Sequence, residues 1–305
     1  MSAHGSVGVF GKIPAQGDFL RINVSDRAAP EFIRWLEEGN ELLEKTGAQL
    51  ASAPIGFVFP SSCRLLVGAV GRGVDAVGRT FPFAIFASLQ DRDLTEAFPL
   101  VPDLYRAFFE GACALLADAP NLTSTQIADR LRHLQLPGSS DLAAAQSAAR
   151  DAGAERVREL LQRLFGDAEG GEHYAFWTFE VACQKVRGRD PGRVNVALDC
   201  PCARESDAWV WLELARRVLR WPAPPPFFWR NGTDSALVLS LGSPPPAVLA
   251  FFSSPPQPSQ KIWPLRTQQP SAVVAARKAL SAAHLSAIER PDATVADLVA
   301  SLSHW

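Results

Sequence analysis

The chain has 305 residues, of which 47% are hydrophobic and 20% charged, with a formal net charge of −2 at pH 7. Its length predicts about two domains or one large domain with insertions, and its composition is that of a globular protein with a sizeable core. The small net charge gives no electrostatic reason to expect a partner such as nucleic acid or a membrane surface.

No targeting or membrane segment is expected. The first residues lack a basic region followed by an apolar one, and no stretch approaches the roughly 18 apolar residues that span a bilayer. We therefore predict a cytoplasmic protein. Cys63, Cys113 and Cys183 lie in apolar runs, where reduced, core-filling thiols are expected.

Hydrophobic periodicity predicts an α+β fold with a central, largely antiparallel sheet flanked by helices. Strands are predicted at 7–10, 55–59, 64–70, 81–89, 194–198, 227–229, 236–241 and 247–252. Helices are predicted from about Pro30, where Trp35 lies on the apolar face, and at 104–116, 172–186 and 207–219.

Three segments differ from this α/β pattern. Residues 121–168 have almost no aromatics, and Pro137-Gly138 divides them into two helices, which predicts a helical insertion in a domain spanning 1–253. Residues 254–270 begin with a proline-rich run and are predicted to be a linker. Residues 271–305 are predicted to form a short helical tail with helices at 272–283 and 294–302.

Two short motifs are the strongest indications of a site. The first is GVFGKIPAQGDF at 8–19, and the second is DAVGRTFPF at 75–83. Each sets charged side chains among glycines, prolines and aromatics, and a charge in such surroundings needs a partner. The candidate residues are Gly11, Lys12, Pro14, Gly17, Asp18, Phe19, Asp75, Gly78, Arg79 and Pro82.

Arg79 can pair with either Asp18 or Asp75, and the sequence leaves both open. A structural ion pair is favoured over a ligand-facing one, because arginine can bind a carboxylate through two parallel hydrogen bonds. Lys12 is predicted to be exposed and available for a surface contact, together with Gln16 and Asp18.

Other sequence patterns that would indicate a nucleotide or metal site are incomplete. The phosphate-loop pattern is broken at Ser6 and Ile13, and the glycines at 71–76 are followed by Gly78 and Pro82, which exclude the helix that a dinucleotide fingerprint must open. Cys200-Pro201-Cys202 lacks a second ligand pair for zinc. No catalytic residue, metal or cofactor is therefore predicted.

The two motifs, in this order, resemble the TagF family, also called ImpM, of proteins associated with bacterial type VI secretion. The family pattern G-x-x-G-K-x-P-x-x-G-D-F is matched throughout by 8–19, and D-x-x-G-R-x-F-P by 75–82. Trp35 fits a tryptophan in the helix that follows the first motif, and 227–232 resembles a later aromatic stretch. The resemblance covers 7–90 well and 170–253 loosely.

The resemblance implies a cytosolic accessory factor that is not an enzyme. In several systems such proteins act as post-translational repressors of assembly, and they are reported to act with a forkhead-associated scaffold protein. The alternative is a small-ligand or nucleotide-sensing domain that uses a cleft around Asp18 and Arg79.

Overall fold

The computed structural model describes residues 5–24, 29–61, 64–89, 94–166, 170–232, 235–267, 269–290 and 292–303. The strands are β1 Ser6–Gly11, β2 Leu20–Ile22, β3 Gln49–Leu50, β4 Ile55–Pro60, β5 Leu65–Val74, β6 Thr80–Leu89, β7 Ala197–Cys200, β8 Phe227–Arg230, β9 Ala236–Ser240, β10 Ser253–Ser254 and β11 Ile262–Pro264. The helices are α1 Pro30–Thr46, α2 Val101–Leu104, α3 Arg106–Asp118, α4 Ser124–Leu131, α5 Ser139–Ala154, α6 Val157–Phe165, α7 Gly171–Val186, α8 Asp207–Leu219, α9 Ala247–Phe251, α10 Pro270–Ala279, α11 Ala282–Glu289 and α12 Val295–Leu302.

Nine strands form one sheet in the order β11-β7-β9-β8-β4-β5-β6-β1-β2. The pairs are antiparallel except for β11 and β7, which are parallel. β3 and β10 form a separate antiparallel pair. The α+β prediction of a largely antiparallel sheet flanked by helices is therefore confirmed.

The sheet is buried on both faces, which explains why its central strands are nearly continuous apolar runs. Along β6, Ala84 and Phe86 pack into the core beneath α1 and α9, whereas Phe83 and Ile85 pack into the opposite core against α3. Successive side chains of a strand point to opposite faces, so each long strand supplies both cores.

The segment 121–168 contains three helices, α4, α5 and α6, where two were predicted. Ala145, Val157, Leu160 and Leu164 are buried in the same apolar cluster as α7 and α8. Arg156 also forms an isolated bridge with Thr294, which links this segment to the last helix.

The strand predicted at 247–252 is wrong, because these residues form α9. Pro246 precedes the helix with φ −55° and ψ −26°, and proline fixes φ near this helical value. Leu249 then packs on α1 so closely that a Cβ on Gly39 would lie 2.5 Å from Leu249 Cδ1. The apolar run is buried by helix packing here instead of by sheet pairing.

The segment predicted as a linker at 254–270 includes β11, which adds an edge to the main sheet. The Ala197 N–H donates to the Lys261 carbonyl at 2.8 Å, and the Leu265 N–H donates to the Asp199 carbonyl at 3.1 Å. Three helices, α10 to α12, follow where two were predicted. Val295, Leu298 and Leu302 of α12 are buried in the core cluster with α8.

Membrane insertion finds no support in the helices described. None of them combines the length and the apolar character that crossing a bilayer requires.

Glu180 on α7 is a buried acid without a compensating charge among the described residues. Its Oε2 lies 3.6 Å from His284 Nδ1, which is longer than a hydrogen bond, and Gln184 Nε2 donates to its Oε1 at 3.5 Å. Burial raises the pKa of Glu180 to about 8. Burial also lowers the pKa of His284, so both groups are uncharged near neutral pH.

The raised pKa of Glu180 predicts that stability declines as pH rises from about 4 to about 8. A carboxyl with a raised folded-state pKa binds a proton in the folded chain that the unfolded chain releases near pH ~4.3, so stability falls as pH rises from there toward 8. We expect Glu180→Gln to flatten the dependence of the melting temperature on pH between about 6 and 9. Glu37→Gln, on the exposed face of α1, is the matched control and leaves the profile unchanged. Identical profiles for the two variants would contradict a neutral Glu180.

Candidate interaction site

The first motif forms β1 and the loop that leads to β2. Gly11 ends β1 with φ +142°, and a Cβ there would lie 2.2 Å from the Pro82 carbonyl oxygen of β6. Only glycine fits this conformation and this close approach. The loop 12–18 then crosses toward the turn 75–79, which joins β5 and β6; together we call these two segments the loop pair.

Asp75 is the centre of the loop pair. Its Oδ1 accepts hydrogen bonds from the backbone N–H groups of Val77, at 3.0 Å, and Arg79, at 2.9 Å. Its Oδ2 lies 2.7 Å from Arg79 Nε and 3.2 Å from Lys12 Nζ. One buried carboxylate therefore holds its own turn and reaches the other segment.

The charge on Asp75 is strongly favoured. Burial alone would raise its pKa, but the hydrogen bonds from the Arg79 N–H and guanidinium, from Lys12 and from the Val77 N–H hold the pKa well below its usual range. The carboxylate is therefore ionised wherever the protein is folded near neutral pH.

Arg79 and the backbone complete the link between the two segments. The guanidinium Nη2 donates to the Gly17 carbonyl at 2.6 Å. The Ala76 N–H donates to the Gln16 carbonyl at 3.1 Å. These contacts attach the second motif to the first at the position where the first is richest in glycine.

The structure thus assigns Arg79 to Asp75. The Asp18 Oδ1 instead accepts from the N–H of Phe19 at 2.7 Å, and Asp18 is exposed. The prediction that Lys12 is exposed is wrong, because its ion pair with Asp75 draws it inward and leaves 11% of its side chain accessible. Arg79 remains 62% exposed, so the pair lies at the surface on the arginine side.

Aromatic packing anchors the end of the first loop. Phe19 stacks on Phe10 with ring centroids 5.2 Å apart and meets Phe81 edge-on at 4.8 Å. Lys12 Nζ lies 5.4 Å from the centre of the Phe19 ring. Phe10, Phe19 and Phe81 come from both motifs, so the motifs share one small core beneath the loop pair.

The outer surface of the loop pair is an exposed rim around a rigid base. Its members from the predicted set are Pro14, Gly17, Asp18, Gly78 and Arg79. Gly11 and Pro82 are buried below it, and Phe19 is half-buried.

Val77 belongs to this rim and was not predicted. It is the most exposed of the large hydrophobic residues described, at 71%. Its signal in the sequence is an apolar residue inside a polar turn, between Asp75 and Gly78, where no strand periodicity accounts for it.

The thiols are placed in the core. Cys183, Cys200 and Cys202 are buried, Cys113 is half-buried, and Cys63 lies outside the described residues. Burial raises the pKa of the three buried thiols. Over the part of the chain that the structure describes, no group of three or more histidine, cysteine or acidic side chains could hold a metal ion.

The close packing around Gly11 predicts that adding a single methyl group there greatly lowers the free energy of unfolding. We expect Gly11→Ala to lower the free energy of unfolding by about 3 kcal/mol, since the substitution combines a positive φ with a clash against β6. Gly17→Ala, in the same motif with no atom within 4 Å of its Cβ, is the control and changes stability by less than about 0.5 kcal/mol. Urea denaturation measures both, and equal stabilities would contradict the close approach.

The contacts of Asp75 predict that the loop pair is destabilised at acidic pH. Its folded-state pKa is lowered, so its stabilisation is complete above the unfolded pKa of about 4 and is lost as pH falls below that value. We expect Asp75→Asn to lower the melting temperature at pH 7 and to reduce the further loss on acidification, because an amide places a donor beside Lys12 or Arg79. Asp18→Asn is the control and leaves the melting curve almost unchanged. A wild-type acid profile in Asp75→Asn would refute this role.

Comparison with known proteins identifies the domain that contains the loop pair. Residues 8–134 match a family model described as the TagF N-terminal domain, type VI secretion system-associated. No curated protein matches the chain.

One similar solved structure is the crystal structure of PA0076 from Pseudomonas aeruginosa PAO1. It is 23% identical over 44% of this chain, with a TM-score of 0.38, and the chain spans 64% of its length.

Both motifs lie inside the family match, which extends from β1 to the end of α4. The resemblance drawn from 8–19 and 75–82 is therefore confirmed for this part of the chain: residues 8–134 match the TagF N-terminal domain, which is associated with type VI secretion.

Proposed function

We propose that this protein is a cytoplasmic regulator of type VI secretion that represses assembly by binding a forkhead-associated scaffold protein. It acts by binding alone and has no turnover of its own. The single observation that carries the proposal is that both motifs of a secretion-associated domain build one braced, exposed loop pair.

The geometry of the loop pair favours protein binding. Its base is fixed by the Asp75 contacts and the three phenylalanines, while Asp18 and Val77 extend outward. A rigid base lowers the conformational entropy lost on binding, and an exposed apolar residue beside a charge can supply both contact area and orientation.

A ligand-sensing role for Asp18 and Arg79 has less support. Arg79 already binds Asp75 and the Gly17 carbonyl, and Asp18 caps the backbone of Phe19. The two side chains therefore do not converge on a common ligand.

The first test is genetic. We expect deletion of the gene to raise secretion of the tube protein in the native host, and overexpression to suppress it. Complementation with Val77→Asp or Asp18→Lys should fail to restore repression, because each variant alters the exposed rim without removing a contact of Asp75. Val274→Asp, at an exposed valine on α10, and Glu37→Lys are matched controls that restore repression.

The second readout is direct. The purified chain should bind the scaffold, and the two rim variants should weaken binding at least about tenfold, the effect of losing one well-packed contact. Calorimetric titration against a nucleotide panel tests the alternative. Nucleotide hydrolysis abolished by Asp18→Ala, or unchanged secretion after deletion and overexpression, would overturn the regulatory proposal.

A further inference from the structure

A large cleft lies apart from the loop pair. It has a volume of about 1080 Å³ and opens between the start of α1, the turn 187–192 after α7, and the segment 219–226 after α8. Neither the loop 12–18 nor the turn 75–79 lines it. Its volume is that of a site for several peptide residues or a large small molecule.

The part of the cleft formed by the turn 187–192 and the segment 219–226 is basic, and we call it the basic wall. Arg187, Arg189 and Arg220 line it, and all three are exposed. In the part of the chain that the structure describes, none of them forms an ion pair, whereas Asp190 on the same wall faces Arg193 at 3.6 Å. Arg220 Nε donates to the Arg217 carbonyl at 3.2 Å, so its two terminal nitrogens and the guanidinium groups of Arg187 and Arg189 have no acidic partner among the described residues and can bind an incoming anionic group.

The backbone presents this wall in a fixed form. Arg220 has φ +51°, one of two non-glycine residues described with a positive φ, and it ends α8 in the left-handed conformation. Pro191, Pro222 and Pro224 lie at the margins of the cleft. A segment with fixed φ angles loses little conformational entropy when a partner binds.

The rest of the cleft lining differs in character. Glu31, Arg34 and Glu38 of α1 also line the cleft, so α1 contributes two of its acidic side chains and one basic side chain. The half-buried Trp221 contributes aromatic surface, and its buried Nε1 has no hydrogen-bond acceptor among the described residues. Aromatic surface among charged side chains suits an extended chain better than a compact ion.

We propose that this cleft binds an extended, acidic segment of another protein, with its carboxylates against Arg187, Arg189 and Arg220. Charge complementarity selects the segment, because arginine binds carboxylates through paired hydrogen bonds. The apolar part of the segment lies on Trp221. The site is separate from the loop pair, so it does not depend on the function proposed above.

The test uses fluorescence anisotropy with a labelled peptide of about ten residues in which glutamate and proline alternate. We expect saturable binding that weakens as salt is raised, and a loss of at least about tenfold in the double variant Arg187→Glu, Arg189→Glu. The matched control is Arg150→Glu, Arg158→Glu, which makes the same change in net charge at exposed arginines outside the cleft and retains wild-type affinity. Thermal melting checks that both variants fold.

Three results would overturn the proposal. Absence of saturable binding would show that the cleft does not bind an acidic segment. An equal loss of affinity in both double variants would show that binding depends only on the net charge of the protein. Tighter binding of an oligothymidylate of about the same length would assign the cleft to nucleic acid instead. Binding that is lost only in the cleft variant supports the site, whether or not deletion of the gene changes secretion.

Discussion

The buried carboxylate of Asp75 is the interaction on which the two motifs depend. It accepts two backbone hydrogen bonds from its own turn and binds both Lys12 and Arg79 through its second oxygen. Burying a lone charge is costly, so this arrangement is stable only while every contact is made. Gly11 follows from the same constraint, because β1 must approach β6 closely enough for Lys12 to reach the turn. The exposed rim depends on this base, because the contacts of Asp75 hold the backbone of the loop pair in place.

Periodicity predicts the long elements of this fold because their burial is decided locally. The apolar runs at 55–60 and 80–89 are strands at nearly the expected bounds, and α8 begins and ends where its pattern indicates. The apolar run at 247–251 gives the same signal, but three preceding prolines and the packing of Leu249 on Gly39 make it a helix. β11 could not be predicted, because its three residues are a strand only through pairing with β7.

The candidate site was predicted in composition but not in geometry. Both motifs contain the residues that meet, yet Asp18 and Asp75 have similar glycine-rich surroundings in the sequence. The register of β5 and β6, which pairs Val74 with Thr80, sets Asp75 and Arg79 at the two ends of one turn and so decides the partner. The sequence did not indicate that the cleft arginines lie together, because the 187–192 turn, the 219–226 segment and α1 meet only in the folded chain.

The pairing of β4 with β8 has a consequence for dissecting the molecule. The matched domain ends at residue 134, but β4, one of its strands, donates and accepts hydrogen bonds along Gly56–Val58 with Phe227–Trp229 from the distant part of the chain. Trp229 also covers Gly56 so closely that a Cβ there would lie 2.4 Å from the indole. A fragment cut at the domain boundary would expose an unpaired strand edge and an apolar surface, the two features that lead sheets to aggregate edge to edge. The shorter piece defined by sequence matching is therefore a poor unit for expression, and a fragment must extend at least through β8 for that edge to be closed.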